Sequence, residues 1–302
     1  MSANIITNYR SQNSLRHSFN TLAGKTFEGL DFEAWYQNGY WSDRYNPYSM
    51  VIDGEVAANV SVNTIDFIWN GKRKHFIQLG TVMTEECFRN QGLIRQIMHK
   101  IDLDYGQTAD GIYLFANDSV LNFYPKFGFK KAMEYRYTKP FSTSQACSMV
   151  QVPMCKTDNS RLQGSPRVPE EWNKLENAMR RSVSYSRFNM VDNDNLIMFY
   201  VTGFMQNNVY YNQKYDTYVI AEIANDTLTV HNIFSQTQYP MDDIFALFGS
   251  DIRQVILGFT PLETDGYTVS AFREEDCTLF VKGNGFDDFE QDRLIFPTLS
   301  HA

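Results

Sequence analysis

The chain has 302 residues, which is more than a single hydrophobic core usually organises, so we expect two domains. Hydrophobic residues make up 43% and charged residues 21%, as in an ordinary globular protein, and the 15% aromatic content can furnish large cores or an aromatic-lined pocket. The net charge of −8 argues against nucleic acid as a partner, because phosphates need a basic surface, and it favours cationic small substrates.

The cysteines and the N-terminal segment give no sign of secretion, metal binding or membrane insertion. Cys87, Cys147, Cys155 and Cys277 form no CxxC pair and no cluster with histidine at metal-ligand spacing, which predicts reduced thiols and no metal site. The N-terminus is polar without an apolar signal segment, and no stretch has the length of a membrane span. We therefore expect a cytoplasmic protein with no membrane partner, and the sequence leaves a homo-oligomer open.

The first part of the chain is predicted to form two helices followed by an antiparallel meander. Both helices fall within residues 12–41, and Asp31 provides an N-cap for the second. Asp53-Gly54 and Asn70-Gly71 are typical hairpin turns between apolar runs. The predicted strands are Ser49–Ile52, Val56–Val62, Ile65–Trp69 and Lys74–Met83.

The region from Gly80 to Ile101 predicts a buried strand, a turn and an amphipathic helix. Apolar residues change from strand spacing to helical spacing across the turn, which holds Arg89-Asn90-Gln91-Gly92. Gly92 lets a ligand approach the backbone closely, and the first helical turn leaves N–H groups without partners. Such a helix start favours a phosphate or pyrophosphate, and Arg89 would add a charged contact. An ordinary strand-to-helix connection is the alternative for one glycine.

A second informative stretch runs from Asp110 to Phe129. It predicts a strand over Ile112–Ala116, then Asn117, a short helical turn, and the sequence Phe-Tyr-Pro-Lys-Phe-Gly-Phe that begins at Phe123. The two stretches cover about a fifth of the chain, and their order and spacing make them a specific signal.

Together, the two stretches resemble the GNAT superfamily of acetyl-CoA-dependent N-acyltransferases. That family carries an Arg/Gln-x-x-Gly-x-Gly/Ala turn followed by Asn-x-x-Ala-x-x-Phe-Tyr-x-x-x-Gly-Phe, and here Ile94 and Val120 replace one small residue in each pattern. The sequence Gly-Leu-Ile-Arg-x-x-Met from Gly92 is similar to the branch named for enhanced intracellular survival, whose members fuse an active GNAT domain to a second GNAT-like domain. The matching residues are Arg89, Gly92, Asn117, Phe123, Tyr124, Gly128 and Phe129.

The resemblance implies acetyl-CoA as the cofactor and assigns parts of its site. Val82, Met83 and Thr84 would serve the pantetheine arm and the thioester oxygen, and Asn117 would make a further cofactor contact. Tyr124 falls on the family's general-acid tyrosine beside the cofactor, whereas a core aromatic residue is the alternative. The turn implied to hold the pyrophosphate comprises Arg89, Asn90, Gln91, Gly92, Leu93 and Ile94.

The general base is less clearly indicated. Glu85 follows the cofactor strand and could take a proton directly or through water, although Glu85 and Glu86 could equally be surface residues. The resembled branch uses its C-terminal carboxylate after a third domain, for which this chain has no room, so Ala302 is the corresponding candidate. We expect His301 to be a solvated terminal residue.

In the resembled fold, the early helices form one wall of the site for an amine acceptor. Their aromatic residues would suit a small-molecule or peptide amine with an apolar or cationic body, and packing of helices on the sheet is the alternative. The candidates are Trp35, Tyr36, Tyr40 and Trp41, with Glu33 and Asp43 beside them.

The second half repeats the order of the first, with two helices, a hairpin, a helix and a strand. Where the first half has its glycine turn, Gln236–Asp242 contains Pro240 and no glycine, which removes an N–H donor. We therefore predict a degenerate GNAT-like domain without coenzyme binding, and an unrelated α+β domain is the alternative. The predicted parts are a catalytic domain at 1–141, a linker at 142–168 and the second domain at 169–302.

The resulting prediction is an α/β protein with a mixed sheet, a GNAT fold in its N-terminal half and a second α+β domain. Its predicted activity is direct transfer of an acetyl group from acetyl-CoA to a primary amine in a ternary complex, with Tyr124 as the acid. A non-catalytic acyl-CoA sensor or interaction protein is the alternative.

Overall fold

The computed structural model describes residues 3–155 and 169–301, which form a mixed α/β fold with two mixed sheets. This confirms the predicted fold class. The strands are β1 (Ala3–Ile6), β2 (Tyr45–Ile52), β3 (Glu55–Trp69), β4 (Lys72–Thr84), β5 (Gly111–Ala116), β6 (Lys130–Lys131), β7 (Glu134–Pro140), β8 (Val150–Gln151), β9 (Phe188–Val191), β10 (Val209–Asn212), β11 (Thr217–Ala224), β12 (Thr227–Phe234), β13 (Gln254–Leu257), β14 (Thr268–Phe272) and β15 (Thr278–Lys282). The α-helices are α1 (Asn13–Thr26), α2 (Glu33–Gln37), α3 (Leu93–Tyr105), α4 (Glu170–Arg181), α5 (Asp194–Thr202) and α6 (Met241–Ala246).

Many of these elements lie where the sequence predicts them. In the second half, the first of the predicted helices is present as α4, and the predicted hairpin is formed by β11 and β12. The meander differs at one point, because β3 continues through residues 63 and 64 where the prediction places a break between two strands. Most of β3 is buried and paired with β4, so its ladder continues through polar Asn63 and Thr64.

The first sheet has the strand order β1-β2-β3-β4-β5-β15-β6, with β9 paired to the far end of β3. Only β4 and β5 in this sheet are parallel, and α3 connects them as a crossover helix. The apolar side of α3, including Leu93, Ile97 and Ile101, packs against the buried side of the sheet. This arrangement places the turn before α3 at the end of β4.

The second sheet has the strand order β14-β7-β13-β12-β11-β10-β8, with β12 and β13 parallel. The two sheets exchange strands across the predicted boundary. Glu134–Pro140 comes from the predicted first domain but lies in the second sheet, while Thr278–Lys282 comes from the second half and lies between β5 and β6. The predicted boundaries at 141 and 169 therefore do not separate the sheets, and part of the predicted linker, 156–168, lies outside the described residues.

An aromatic core that packs on the first sheet is also built from both halves of the chain. Phe188 of β9 stacks on Phe67 of β3 with ring centroids 4.5 Å apart, and Phe296 stacks on Tyr113 of β5 at 4.0 Å. All four side chains are almost fully buried. Because large aromatic side chains contribute much of the apolar area buried in a core, this cluster joins the two halves strongly.

A β-bulge interrupts β4 near its end. Asn59 of β3 lies opposite Met83, but Ser61 lies opposite Gly80, so one residue of β3 faces two residues of β4. Thr81 in this bulge has a φ of +47°, which is unfavourable for a β-branched residue.

Buried hydrogen bonds hold the bulge in place. The Asn59 side-chain amide donates to the Thr81 carbonyl oxygen at 2.9 Å, and the Tyr45 hydroxyl lies 2.7 Å from the Thr81 hydroxyl. Ser49 donates to Asn59 at 2.8 Å, and its own hydroxyl lies 2.6 Å from the Tyr9 hydroxyl. These partners offset the unfavourable backbone conformation of Thr81.

Beyond the bulge, β4 and β5 separate. They pair only over Phe76–Leu79 and Gly111–Leu114, although β4 continues to Thr84 and β5 to Ala116. The edge of β4 that faces β5 is therefore unpaired over its last residues. The fold leaves an opening at this end of the sheet, between two strands that are otherwise neighbours.

Replacing Phe280 tests whether β15 belongs to the first sheet. Its side chain is fully buried opposite Leu114, so Phe280→Ala should lower the free energy of unfolding by about 3–5 kcal/mol, measured by urea denaturation. The control is Leu103→Ala, whose side chain is 67% exposed and whose replacement should change stability by less than about 0.5 kcal/mol. Equal stability of the two variants would contradict the position of β15.

Glu134 makes stability depend on pH. Burial raises the pKa of its carboxyl from 4.5 to about 8, partly offset by the Phe296 N–H that donates to it at 2.9 Å. Between these values the folded chain binds more protons than the unfolded chain, so the contribution of this group to the unfolding free energy decreases as the pH rises and is constant above about pH 8.

Glu134→Gln should therefore flatten the pH dependence of stability. We expect the decrease between about pH 5 and about pH 8 to shrink by up to a few kcal/mol, measured by urea unfolding at several pH values. Glu263→Gln changes an exposed carboxylate and provides the control, whose pH profile should follow that of the wild type. If the unfolding free energy of Glu134→Gln depends on pH as steeply as that of the control, Glu134 is not the source of the pH dependence.

Candidate active site

The residues predicted to contact the cofactor meet at the opening between β4 and β5. Val82, Met83 and Thr84 are the last three residues of β4, with Val82 in the bulge and the other two directly beyond it. The Met83 side chain points into the core, whereas Val82 and Thr84 are half-buried. Backbone groups along this unpaired edge are available to a ligand that enters the opening.

The turn before α3 has the geometry of an anion site. Gly92 has a φ of +75°, and a Cβ built on it would meet no atom within 4 Å, so the space above it is open. Within residues 3–155 and 169–301, the N–H groups of residues 90–95 reach no hydrogen-bond acceptor. Arg89, Asn90 and Gln91 are exposed beside them, while Leu93 is buried under the turn. This arrangement fits the phosphate groups of a cofactor.

Asn117 is held by a residue from the second half. It directly follows β5, and its amide donates to the Asp276 carboxylate at 2.8 Å, which the Asp118 N–H also approaches at 2.5 Å. Arg273 lies 3.1 Å from the Asp118 carboxylate. The turn between β14 and β15 therefore positions Asn117, whose side-chain Oδ1 makes no hydrogen bond within the described residues. Sequence reasoning missed Asp276, because an acidic residue in a turn carries no signal of its partner.

Tyr124 begins a short 3₁₀ turn and is 5% exposed. Its ring contacts Phe129 at 6.2 Å and Phe280 of β15 at 5.8 Å between centroids. Burial raises the pKa of its phenol to about 12, so the hydroxyl keeps its proton at neutral pH. The chemistry available here is proton donation rather than proton abstraction.

Glu85 follows β4 and forms an ion pair with Lys25 of α1, with 3.0 Å between Nζ and Oε2. The Lys25 contact, together with the N–H of Glu86, holds the pKa of the Glu85 carboxyl below its ordinary value. Glu85 is half-buried, whereas Glu86 is exposed. The ion pair makes Glu85 a weaker base than a free carboxylate.

An apolar cavity of about 290 Å³ lies beside Thr81, between the segment before α2 and the α5 region. We call it the apolar cavity. It brings together residues from both halves of the chain and from the C-terminal segment. Its lining residues are Phe27, Leu30, Phe32, Trp35, Tyr45, Thr81, Leu196, Phe199, Tyr200, Phe204 and His301.

Of the four aromatic residues predicted for the acceptor site, only Trp35 lines this cavity. Its indole N–H donates to the Asn195 carbonyl at 2.8 Å. Tyr36 lies under the Arg16 guanidinium, and Tyr40 packs on Trp172 and donates to Glu176. Trp41 is buried in the hydrophobic cluster that also contains Trp35 and Tyr40, and its indole N–H donates to the Tyr45 carbonyl. These three residues pack the early helices onto the sheet and the second half.

His301 is not solvated, and that expectation was wrong. Its ring stacks on Phe115 of β5 at 3.8 Å, and its carbonyl accepts a hydrogen bond from Tyr200. Burial lowers the pKa of the imidazole to about 4, so it is neutral at physiological pH. The C-terminal segment therefore reaches the apolar cavity, while Ala302 lies outside the described residues. The sequence gives no signal that His301 is buried, because its burial arises from packing against residues far away in the chain.

A second, polar cavity of about 270 Å³ lies behind His301, against the second sheet. His231 lies in its wall. The His231 Nδ1 forms a hydrogen bond with the Thr298 hydroxyl at 2.9 Å, and the His231 Nε2 lies 3.7 Å from the Glu222 carboxylate. The charged and titratable residues of this polar cavity are Glu134, Arg136, Glu222, His231, Glu274, Cys277 and His301.

The corresponding turn of the second half lacks the features of an anion site. Pro240 directly precedes α6, and Asp242 and Asp243 occupy the first turn of that helix. Two carboxylates at this position would repel a phosphate.

The part of the chain that the structure describes lacks two further features. It contains no group of three or more His, Cys, Asp or Glu side chains arranged to hold a metal ion. None of its helices is both long enough and apolar enough to cross a membrane.

Comparisons with known proteins agree with this geometry. The model of the acetyltransferase (GNAT) family matches residues 13–129, which include β4, the glycine turn, α3 and Tyr124. No curated protein matches the sequence.

Similar solved structures extend over nearly the whole chain. A conserved protein of unknown function from Enterococcus faecalis V583, described as a probable N-acyltransferase, is 15% identical with a TM-score of 0.60, over 93% of this chain and 72% of that chain. Eis1 from Mycobacterium abscessus is 14% identical with a TM-score of 0.54, over 92% and 72%. A GCN5-related N-acetyltransferase from Kribbella flavida is 14% identical with a TM-score of 0.51, over 93% and 70%. At these identities the likeness concerns the fold. Residues 13–129 therefore belong to the acetyltransferase (GNAT) family, and the chain carries a second mixed sheet in addition.

Proposed function

We propose that this enzyme transfers an acetyl group from acetyl-CoA to a primary amine, by direct attack while both are bound. The observation that carries the proposal is the meeting of two separate sequence stretches at one opening in the sheet. The glycine turn follows the free end of β4, and Asn117 with Tyr124 follows the free end of β5. A site between two diverging parallel strands can hold a long cofactor against backbone groups of both.

The residues that would hold the cofactor are those of the turn and the strand end. The N–H groups of residues 90–95 and the Arg89 guanidinium would bind phosphate, and Val82, Met83 and Thr84 would present backbone groups along the opening. Asn117 would add its free amide oxygen as an acceptor. When bound, acetyl-CoA would supply an activated acyl group as a thioester.

Tyr124 is our candidate for the general acid. Its phenol is protonated at neutral pH because burial disfavours the phenolate, and its ring is fixed between Phe129 and Phe280. A proton held at its hydroxyl would be given to the departing sulfur.

Two groups are proposed as acceptors of the proton from the amine. Glu85 lies at the end of β4, and its pairing with Lys25 lowers its basicity. The Ala302 carboxylate is the second candidate, carried over from the resemblance to the branch that uses its C-terminal carboxylate.

Tyr124→Phe tests the acid role. We expect kcat to fall by about a hundredfold or more, because general acid catalysis typically contributes that much, while the thermal shift caused by acetyl-CoA stays unchanged. Tyr135→Phe removes a hydroxyl from β7 and should leave both quantities as in the wild type. A loss of acetyl-CoA affinity as large as the loss of kcat would count against the acid role.

Substitutions of Gly92 test the phosphate site. Asn and Asp have nearly the same shape, and both tolerate a positive φ better than other residues do, so Gly92→Asn and Gly92→Asp differ mainly in charge. We expect Gly92→Asp to bind acetyl-CoA at least about tenfold more weakly than Gly92→Asn, a difference of about 1.4 kcal/mol measured by calorimetry. If Gly92→Asp binds acetyl-CoA as tightly as Gly92→Asn does, this turn is not part of the cofactor site.

A further inference from the structure

None of the described residues that line the apolar cavity is charged. Its walls consist of aliphatic and aromatic side chains, with hydroxyl groups from Thr81, Tyr45 and Tyr200 and the ring of His301 as the polar groups. The imidazole of His301 is neutral at physiological pH because burial lowers its pKa to about 4. A molecule that enters this cavity therefore meets apolar surface and a few hydrogen-bonding groups.

Carboxylates of the early helices do not supply the missing charge. Glu33 is bound by Arg16 at 2.8 Å, and Asp43 by Arg10 at 2.7 Å. Neither carboxylate lines the cavity. Each already has a cationic partner, so the acidic residues near Trp35 do not create a negative pocket.

The rings of Phe32 and Trp35, which line the cavity, offer little free face for a cation. Phe32 stacks on Tyr45 at 5.3 Å and on Phe199 at 5.4 Å between centroids, and Trp35 stacks on Trp41 at 6.0 Å. A cation is attracted to the face of a ring, and these faces are covered by other rings. Burying a second ammonium group here would remove its water without giving it a partner, whereas an uncharged body would gain from burial.

We propose that the acceptor is a primary amine whose reacting amino group is its only cationic group. The rest of the molecule is an uncharged aromatic or aliphatic body, which occupies the apolar cavity. This inference rests on the proposed acetyl transfer and names its substrate class. The volume of about 290 Å³ is at the lower end of small-molecule pockets, so the body is small. The α5 region supplies Phe199 and Phe204, so the second half sets the specificity of the first.

Hexylamine and 1,5-diaminopentane test this substrate class directly. The two amines have the same number of non-hydrogen atoms and differ by a methyl group in one and a second ammonium group in the other. We expect kcat/KM for hexylamine to exceed that for the diamine by about a hundredfold at saturating acetyl-CoA. 2-Phenylethylamine should be acetylated at least as well as hexylamine.

A charge introduced at the rim should change this preference. Phe204 lines the cavity and is 66% exposed, so Phe204→Asp should fold. Because the new carboxylate supplies a partner for the second ammonium group, the ratio of kcat/KM for hexylamine to kcat/KM for the diamine should fall by about tenfold. Leu262→Asp places the same charge at a site 49% exposed outside the cavity and should keep the ratio of the wild type.

The inference is overturned if the wild type acetylates the diamine with a kcat/KM equal to or higher than that for hexylamine. In that case, a loss of diamine turnover in Glu274→Gln would show that the polar cavity holds the second cation instead. If the kcat/KM ratio of the two amines is unchanged in Phe204→Asp, the uncharged body of the acceptor does not occupy the apolar cavity. Calorimetric binding of both amines separates this inference from the proposed function. If hexylamine binds more tightly than the diamine but neither is acetylated, the apolar cavity remains a binding site for amines with an uncharged body, and the proposed acetyl transfer fails.

Discussion

The bulge at Thr81 determines the geometry of the site. One extra residue in β4 turns the end of the strand away from β5, and buried hydrogen bonds from Asn59 and Tyr45 hold Thr81 in a conformation that it would not adopt alone. Without the extra residue, β4 would continue to pair with β5, and the opening that receives both sequence stretches would close. A small buried polar network at the base of the sheet therefore decides whether a site exists at all.

The site is assembled from both halves of the chain. The first half supplies the glycine turn and Tyr124, while the second supplies Asp276 beside Asn117, Phe280 under Tyr124 and the α5 wall of the apolar cavity. The crossover turn of the second half thus lacks the features of an anion site, but the second half of the chain supports and shapes the site in the first half. Its contribution is positional, through packing and hydrogen bonds.

The sequence predicts what depends on local pattern. The helix after Gly92 and the strand before Asn117 follow from periodicity and turn chemistry, and the structure has both. The positions of β7 and β15 could not be predicted, because an apolar strand carries no record of which sheet it joins. The bulge at Thr81 has no local signature either, since a β-branched residue at positive φ depends on distant hydrogen-bond partners.

The exchange of strands also affects the order in which the chain can fold during synthesis. The first sheet contains β15, so it remains incomplete until residue 282 has left the ribosome, long after its other central strands have emerged. Until then β5 has an open edge on that side, and open edges favour pairing with other chains. The GNAT domain at the start of the sequence is therefore finished late, and its assembly depends on contacts between residues far apart in the chain.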